Sequence, residues 1–313
     1  MASTITLTVS QAVLDKMYHY YEKQIIKIPN HTLFQAKTNT CTITAYLSKK
    51  VVFQGHNPEI EVAKWQSTGT KTALAKQTSP SSNKTICTGL PQNIASLAAI
   101  GCDEVGTGDY FGPLVVCSAY VPEDLIQTLL IMGIKDSKAL KDPEICELAK
   151  KIESLIPHQC LILPNEKYNQ MVNQGMNANA IKAFLHNQAL GKLTTHLETK
   201  PEYYIMDEFV NRNKYFEYLT QLPKKQTIIK EHLYFIQKGE SVHVAVAAAS
   251  ILARASFVKY MNIMSQKLNF NLPKGAGSPV DQAGRQFVKQ HGKQKLEQIS
   301  KWHFANTSKI LNS

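Results

Sequence analysis

Behind Ser10, apolar residues recur at helical spacing: Val13, Leu14, Met17, Tyr21 and Ile25. A hydroxyl acceptor followed by that period predicts a capped amphipathic helix, which Pro29 ends. Three short runs, HTLFQA, CTITAYL and VVFQG, then read as strands, and the polar SKK between the last two predicts a hairpin. After PEIEVAKW, the stretch QSTGTKTALAKQTSPSSNKT loses all apolar period and fills with Ser, Thr and Lys, the composition of a linker.

A different pattern starts beyond the linker. IASLAAIGCDE and PLVVCSAYV read as neighbouring strands around a glycine-rich turn, LIQTLLIMG and EICELAKKIESLI as helices, and QCLILP as a strand. From Asn177 to Leu197 a long helix is predicted, with Ile181, Phe184, Leu185 and Leu190 on one face. EYYIMDEF reads as a strand and QTIIKEHLYFIQKGES as one or two more. VAVAAASILARASFVKYMNIMSQKL predicts a long helix whose Ala-rich start permits close packing on a sheet. Strands mixed with helices and a hairpin indicate a mixed α/β domain rather than a strictly alternating one.

Length and charge add to this picture. A chain of 313 residues suits two domains. Its 35 Lys+Arg against 24 Asp+Glu give +11, which favours an anionic partner without separating nucleic acid from anionic lipid. Residues 1–90 hold ten Lys and four acidic residues, hence +6, so the first segment is the more basic per residue and reads as a binding module. Six cysteines show no C-x-x-C pair, which excludes metal-finger spacing and suits a reducing compartment where Cys is a small hydrophobe. The start MASTITLTVSQAVLDK lacks a leader pattern, and no run approaches the ~18 apolar residues of a membrane span. The expectation is a soluble, cytoplasmic protein.

Candidate chemistry lies in three acidic positions, each at the end of an apolar strand or just before a helix: Asp103-Glu104 after LAAIGC, Asp207 after YYIM, and Glu240 before the Ala-rich helix. A half-buried carboxylate is costly unless a cation neutralises it. Acids spread through the sequence but alike in setting are expected to converge at one sheet edge. There two divalent ions about 4 Å apart would activate a water and stabilise a leaving oxygen in phosphodiester cleavage. All-oxygen ligands suit Mg²⁺ or Mn²⁺ rather than Zn²⁺.

The eleven residues DEVGTGDYFGP resemble the signature of type 3 ribonuclease H (ribonuclease HIII), a sister of the type 2 family, in which the glycines flank an Arg. Three further stretches agree in order: KDSKALKD at 135–142, MNANAIKAFLHNQAL at 176–190 and AVAAASILARASF at 245–257. The resemblance implies a ribonuclease H-like fold with a central mixed sheet, preceded by a small α+β domain similar to the TATA-binding protein. In residue ranges, it implies a basic substrate-binding domain at 1–66, a linker at 67–92 and a catalytic domain at 93–313. It further implies a two-metal endonuclease that cuts the RNA strand of RNA/DNA hybrids, leaving 5′-phosphate and 3′-hydroxyl ends. Carried over by position, the metal ligands and catalytic residues are Asp103, Glu104, Asp207 and Glu240, with Asp103 bridging both ions. Many relatives have Asp where this chain has Glu240. Gly106, Thr107 and Gly108 match the backbone that lies against the ribose 2′-hydroxyl. Lys135, Ser137 and Lys138 match a phosphate-contacting segment, and Asn177 and Asn179 match polar residues near the substrate. No membrane and no obligate protein partner is expected, and the chain is expected to act as a monomer.

Blander readings compete with these. Alone, an Asp-Glu pair before glycines is most often a solvated loop, Asp207 an edge-strand charge, and Glu240 a residue favoured at a helix start by the dipole. GTGDYFG lacks the Gly-Lys-Ser/Thr of a nucleotide phosphate loop. A hybrid-binding module without catalysis would dispense with the acids, and an integrase-like or resolvase-like nuclease lacks the GTG context. Lys49 and Lys50 read as solubilising turn residues, His243 and His303 as ordinary polar residues, and Trp65 and Trp302 as core or edge aromatics. Asp281 is assigned no site role.

Overall fold

Two sets of strands pair only among themselves and mark two units, residues 1–84 and 85–313. The structure, a computed structural model, describes residues 3–27, 32–47, 49–65, 89–134, 140–199, 201–221 and 227–312.

The first unit runs β1 (Ser3–Thr8), α1 (Gln11–Tyr21), β2 (Ile25–Lys27), β3 (Thr32–Lys37), β4 (Cys41–Tyr46), β5 (Lys50–Gly55) and α2 (Pro58–Ala63). Its antiparallel sheet has the order β1-β5-β4-β3-β2. Period-2 alternation sends Phe34, Ala36, Ile43, Ala45, Val51 and Phe53 to one face, where they pack with Val13, Leu14, Met17 and Tyr21 of α1. Ser10 caps α1 as expected, accepting from the Val13 N–H at 3.4 Å.

The helix stops earlier than its spacing suggests. The Tyr21 hydroxyl donates to Glu61 at 2.7 Å and accepts from the Trp65 indole at 2.9 Å. Ile25, assigned by period to the helix, instead pairs with Ala36 as β2 joins the edge of β3. That tertiary pairing is invisible to local spacing. β1 is likewise absent from the sequence reading. Pro29 lies outside the described residues.

The second unit contains β6 (Ala99–Val105), β7 (Leu114–Val121), α3 (Glu123–Ile131), α4 (Asp142–Leu155), β8 (His158–Leu163), α5 (Asn165–Asn173), α6 (Ala178–His196), β9 (Tyr203–Asp207), α7 (Arg212–Thr220), β10 (Leu233–Ile236), α8 (Val244–Leu268), α9 (Ser278–His291), α10 (Lys293–Ile299) and α11 (Ala305–Leu311). Its sheet has the order β10-β9-β6-β7-β8. β10, β9 and β6 are parallel, whereas β6, β7 and β8 run antiparallel. The mixed sheet expected from sequence is therefore present. Of the stretch read as one or two strands, the described residues 227–241 contribute the single strand β10.

Both faces of this sheet are covered. Val115, Cys117, Ala119 and Val121 pack with α8, while Leu114 and Val116 pack with Ile181, Leu185 and Ala189 of α6. Likewise Ile100, Cys102, Tyr204 and Met206 join Ala183, Leu190 and Leu193 of α6, and Ala99 and Ile205 join Val246 of α8. Among the described residues α8 alone is long and apolar enough to cross a membrane. With 78% of its apolar window buried, it is the core helix of this unit.

Cys117 and Cys160, 43 positions apart, stand directly opposite each other across β7 and β8 with their sulfurs in contact. Sequence spacing hides this pair because register, not separation, brings it together. Cys41 and Cys102 are buried thiols.

The Ala-rich start of α8 lies so close to β6 that a Cβ at Gly101 would overlap the backbone of Ala245 and Val246. Gly101→Val should therefore force sheet and helix apart and destabilise the protein by about 3 kcal/mol or more. Urea denaturation checks this, and a loss below about 1 kcal/mol would show that the contact yields.

Candidate active site

Alternation along β6 sends Asp103 and Glu104 to opposite faces of the sheet. Asp103 continues the row of Ala99 and Gly101 toward α8, where Ser250 hydrogen-bonds it. The Glu104 N–H donates to Asp103 Oδ1 at 2.7 Å. Asp207 ends β9 on the same side, because Cys102 pairs with Met206 in parallel register and the next residue of each strand is an aspartate. The Gly239 N–H donates to Asp207 Oδ1 at 2.8 Å, which ties the 3₁₀ turn Gly239–Ser241, and with it Glu240, to the end of β9.

Glu104 has different company. Lys182 Nζ donates to Glu104 Oε1 and His186 Nε2 to Oε2, each at 2.9 Å. Both partners are interior residues of α6, and Phe209 backs them: Lys182 Nζ sits 4.1 Å from the ring centroid and the His186 ring stacks on it at 5.3 Å. Sequence reasoning missed Lys182 and His186. Their signal is a Lys and a His four residues apart, a spacing that puts both on one face of the helix, here the buried one.

The environment drives the two neighbouring carboxyls apart. Burial, then the charge of Glu104, pushes the Asp103 carboxyl up to about 7; the Ser250 and Glu104 hydrogen bonds oppose this, and Asp207 adds to it. Burial also acts on Glu104, but the hydrogen bond and charge of His186 and the Lys182 ammonium outweigh it and hold Glu104 at about 2.

Among the described residues, no three His, Cys, Asp or Glu side chains are gathered tightly enough to hold a metal ion as they stand. The donor set nevertheless fits a hard cation: Asp103 is a half-buried acid beside two other carboxylates, the setting in which a divalent ion removes the penalty. Glu104 keeps lone pairs beyond the two that Lys182 and His186 occupy.

The glycine-rich loop is built for close approach. Gly106 has φ +98°, and a Cβ there would overlap the Pro113 carbonyl, whereas Gly108 is exposed with open space beside it. The buried Thr107 hydroxyl has no hydrogen-bond partner. Asn177 is the N-cap of α6, accepting from the Ala180 N–H at 2.9 Å and donating to the Tyr218 hydroxyl at 3.3 Å. Asn179 lies in the first turn of that helix. Lys135, Ser137 and Lys138 fall outside the described residues. His243 caps α8 and Asp281 accepts from Asn306, so both serve the fold.

Comparison with known proteins decides the family. The ribonuclease HII family pattern matches residues 100–307, and a domain of unknown function (DUF3378) matches residues 4–79. Ribonuclease HIII of Listeria monocytogenes serotype 4b is 44% identical over 313 residues, covering 99% of this chain and 98% of the relative. The chain belongs to the ribonuclease HIII family. Ribonuclease HIII of Bacillus mycoides is 43% identical over the same span. The crystal structure of Bst-RNase HIII in complex with Mn²⁺ superposes with TM-score 0.70 at 40% identity, covering 99% of this chain and 98% of that one. Ribonuclease H2 from Pyrococcus horikoshii, 22% identical, shares the fold over 69% of this chain with TM-score 0.56. The chain is thus a ribonuclease H nuclease with the mixed-sheet fold of its family.

A pH dependence of stability follows for this ribonuclease HIII. Because the folded Asp103 carboxyl holds its proton up to about pH 7 while the unfolded one releases it near 4, its ionisation costs stability as pH rises between those values. In chelator, Asp103→Asn should be more stable than the parent at pH 8, by on the order of 4 kcal/mol, with the gap closing near pH 4. Urea midpoints across that range check this, and a gap independent of pH would refute it.

Proposed function

We propose that this chain hydrolyses the RNA strand of RNA/DNA hybrids endonucleolytically, leaving 5′-phosphate and 3′-hydroxyl ends. Asp103, Glu104, Asp207 and Glu240 are its ligands for two Mg²⁺ or Mn²⁺ ions. The observation that carries this reading is the placing of Asp103 and Asp207 level with each other on adjacent parallel strands, facing one helix, with Asp103 half-buried beside other acids. The Mn²⁺ complex of Bst-RNase HIII supports the choice of ion.

Bound there, the ions supply an activated water and charge stabilisation of the leaving oxygen. The rest falls to the chain. Ser250 and the Glu104 N–H orient Asp103, the Gly239 N–H orients Asp207, and Lys182 with His186 keeps Glu104 ionised. Gly106–Thr107–Gly108 offers backbone to the ribose beside the cut, and Lys135, Ser137, Lys138, Asn177 and Asn179 serve the phosphates and nearby substrate. Residues 1–66 form the substrate-binding domain, 67–92 the linker and 93–313 the catalytic domain of a cytoplasmic, monomeric enzyme.

The decisive assay incubates end-labelled RNA/DNA hybrid, RNA duplex and DNA duplex with Mg²⁺, Mn²⁺ or chelator. Only the hybrid should be cut, and only with a divalent ion. Asp103→Asn should abolish cleavage, and Asp207→Asn and Glu240→Gln should each lose at least about a hundredfold in rate, ~2.7 kcal/mol of transition-state stabilisation. Glu208→Gln should stay near the parent. A crippled Glu208→Gln beside a normal Glu240→Gln would require a different fourth ligand.

The basic first unit generates a separate expectation. Removing residues 1–84 should weaken hybrid binding and flatten its salt dependence, each lost phosphate contact lowering the log–log slope by about one. An unchanged affinity and slope in a filter-binding titration would assign the unit another role.

A further inference from the structure

Lys301 is fully buried, and its ammonium bonds two backbone carbonyls. Nζ donates to the carbonyl of Asp109 at 2.7 Å and to that of Gly112 at 2.8 Å, with the Tyr168 ring centroid at 5.7 Å. A buried ammonium costs several kcal/mol unless its hydrogen bonds are well made. A chain that needed only filled space here would carry an apolar side chain. Lys301 instead draws two carbonyls of one loop onto a single point, and so sets how tightly residues 109–112 curl.

That loop is the continuation of Gly106–Gly108. Asp109 N–H returns to the Gly106 carbonyl at 3.3 Å, so the curl of residues 109–112 fixes the direction in which the bare backbone faces. Neighbouring contacts brace the same turn. The Lys301 N–H donates to the Tyr110 carbonyl at 2.8 Å, the Gly112 N–H to the Ile299 carbonyl at 3.2 Å, and Phe111 bridges Ser300. Across the loop the Gly275 N–H donates to Asp109 Oδ1 and the Tyr110 N–H to the Gly275 carbonyl.

Lys301 is itself held from behind. Asn169 of α5 donates to the Ser300 carbonyl at 2.9 Å and accepts from the Trp302 N–H at 3.1 Å, gripping the backbone on both sides of Lys301. A continuous path thus runs from α5 through residues 300–302 and the lysine nitrogen to the glycine loop. Burial lowers the Lys301 ammonium to about 7, the Asp109 charge opposing. In either protonation state the nitrogen keeps at least two N–H bonds, enough for its two carbonyls.

The geometry points to Lys301 as a positioning residue that holds the Gly106–Gly108 backbone against the ribose beside the cut, so that sensitivity to that 2′-hydroxyl depends on it. This rests on the reading that the loop meets the ribose. The test pairs two enzyme forms with two substrates. Full-length parent and Lys301→Met cut a DNA duplex with a short ribonucleotide run, and the same duplex with one 2′-deoxy substitution at the ribose flanking the mapped cut.

The parent should lose about tenfold or more in kcat/KM on the deoxy substrate. Lys301→Met should lose a similar factor on the intact substrate and little further on the deoxy one, so the ratio collapses toward one. A merely structural lysine would lower both rates alike and leave the ratio at the parental value, which overturns the proposal alone. A parent indifferent to the deoxy substitution overturns the ribose reading and the proposal with it. Circular dichroism checks each fold. Should Lys301→Met not fold, Lys301→Gln, which retains an amide donor, carries the comparison with an intermediate ratio expected. If neither folds, Lys301 serves the fold and the proposal fails.

Discussion

At Gly101 the backbone of β6 meets the first turn of α8 with no room for a methyl group, and the placement of the acids depends on that contact. Close approach brings Ser250 of α8 within reach of Asp103, two residues along the strand. It also fixes where α8 starts, and therefore where the preceding Gly239–Ser241 turn lies. From there the Gly239 N–H reaches Asp207, and Glu240 follows Gly239 in the same turn. A run of small residues at a helix start is thus the reason that three acids, at positions 103, 207 and 240, belong to one end of one sheet.

The two adjacent acids of β6 show how a strand's period of two separates chemistry that the sequence writes together. Glu104 turns to α6 and meets two cationic or donating groups; Asp103 turns to α8 and meets only hydroxyl and amide donors besides other acids. One is held ionised, at about 2, and the other resists ionisation until about 7. A carboxyl of the second kind keeps its proton because burial disfavours its charge and ionising it would set a further negative charge beside Glu104 and Asp207. The first supplies negative charge already oriented, at the cost of sharing it with Lys182 and His186.

Much of the fold was legible because its strands and helices have strong local periods. The β6–turn–β7 pair, α6 with Asn177 at its start, and α8 follow from alternation, capping and apolar runs. What stayed hidden depends on partners distant in sequence. β2 exists because the edge of β3 accepts it, Ile25 leaving the helix period for a sheet. The Cys117–Cys160 pairing depends on register. Within the site, signature residues supplied the acids and glycines, but Lys182, His186 and Lys301 were unread: their roles appear only once the carboxylate or carbonyls they face are in place. The parity along β6 that separates Asp103 from Glu104 is visible in the sequence and was not drawn from it.

Lys182 and Lys301 change how the net charge of +11 should be understood. Both are interior, one paired with Glu104 and the other caged by carbonyls, so neither contributes a mobile surface charge toward an anionic partner. Burial of a lysine is tolerated only where its donors are used, and here one set of donors holds the acid next to Asp103 and the other the loop that follows Gly108. The bulk charge count attracts a polyanion at long range and is screened by salt within about 10 Å at 0.1 M. The interior lysines act through hydrogen bonds at 2.7–2.9 Å that salt barely reaches. Binding strength and catalytic geometry should therefore respond differently to ionic strength, because the same residue type serves them at opposite ends of the dielectric range.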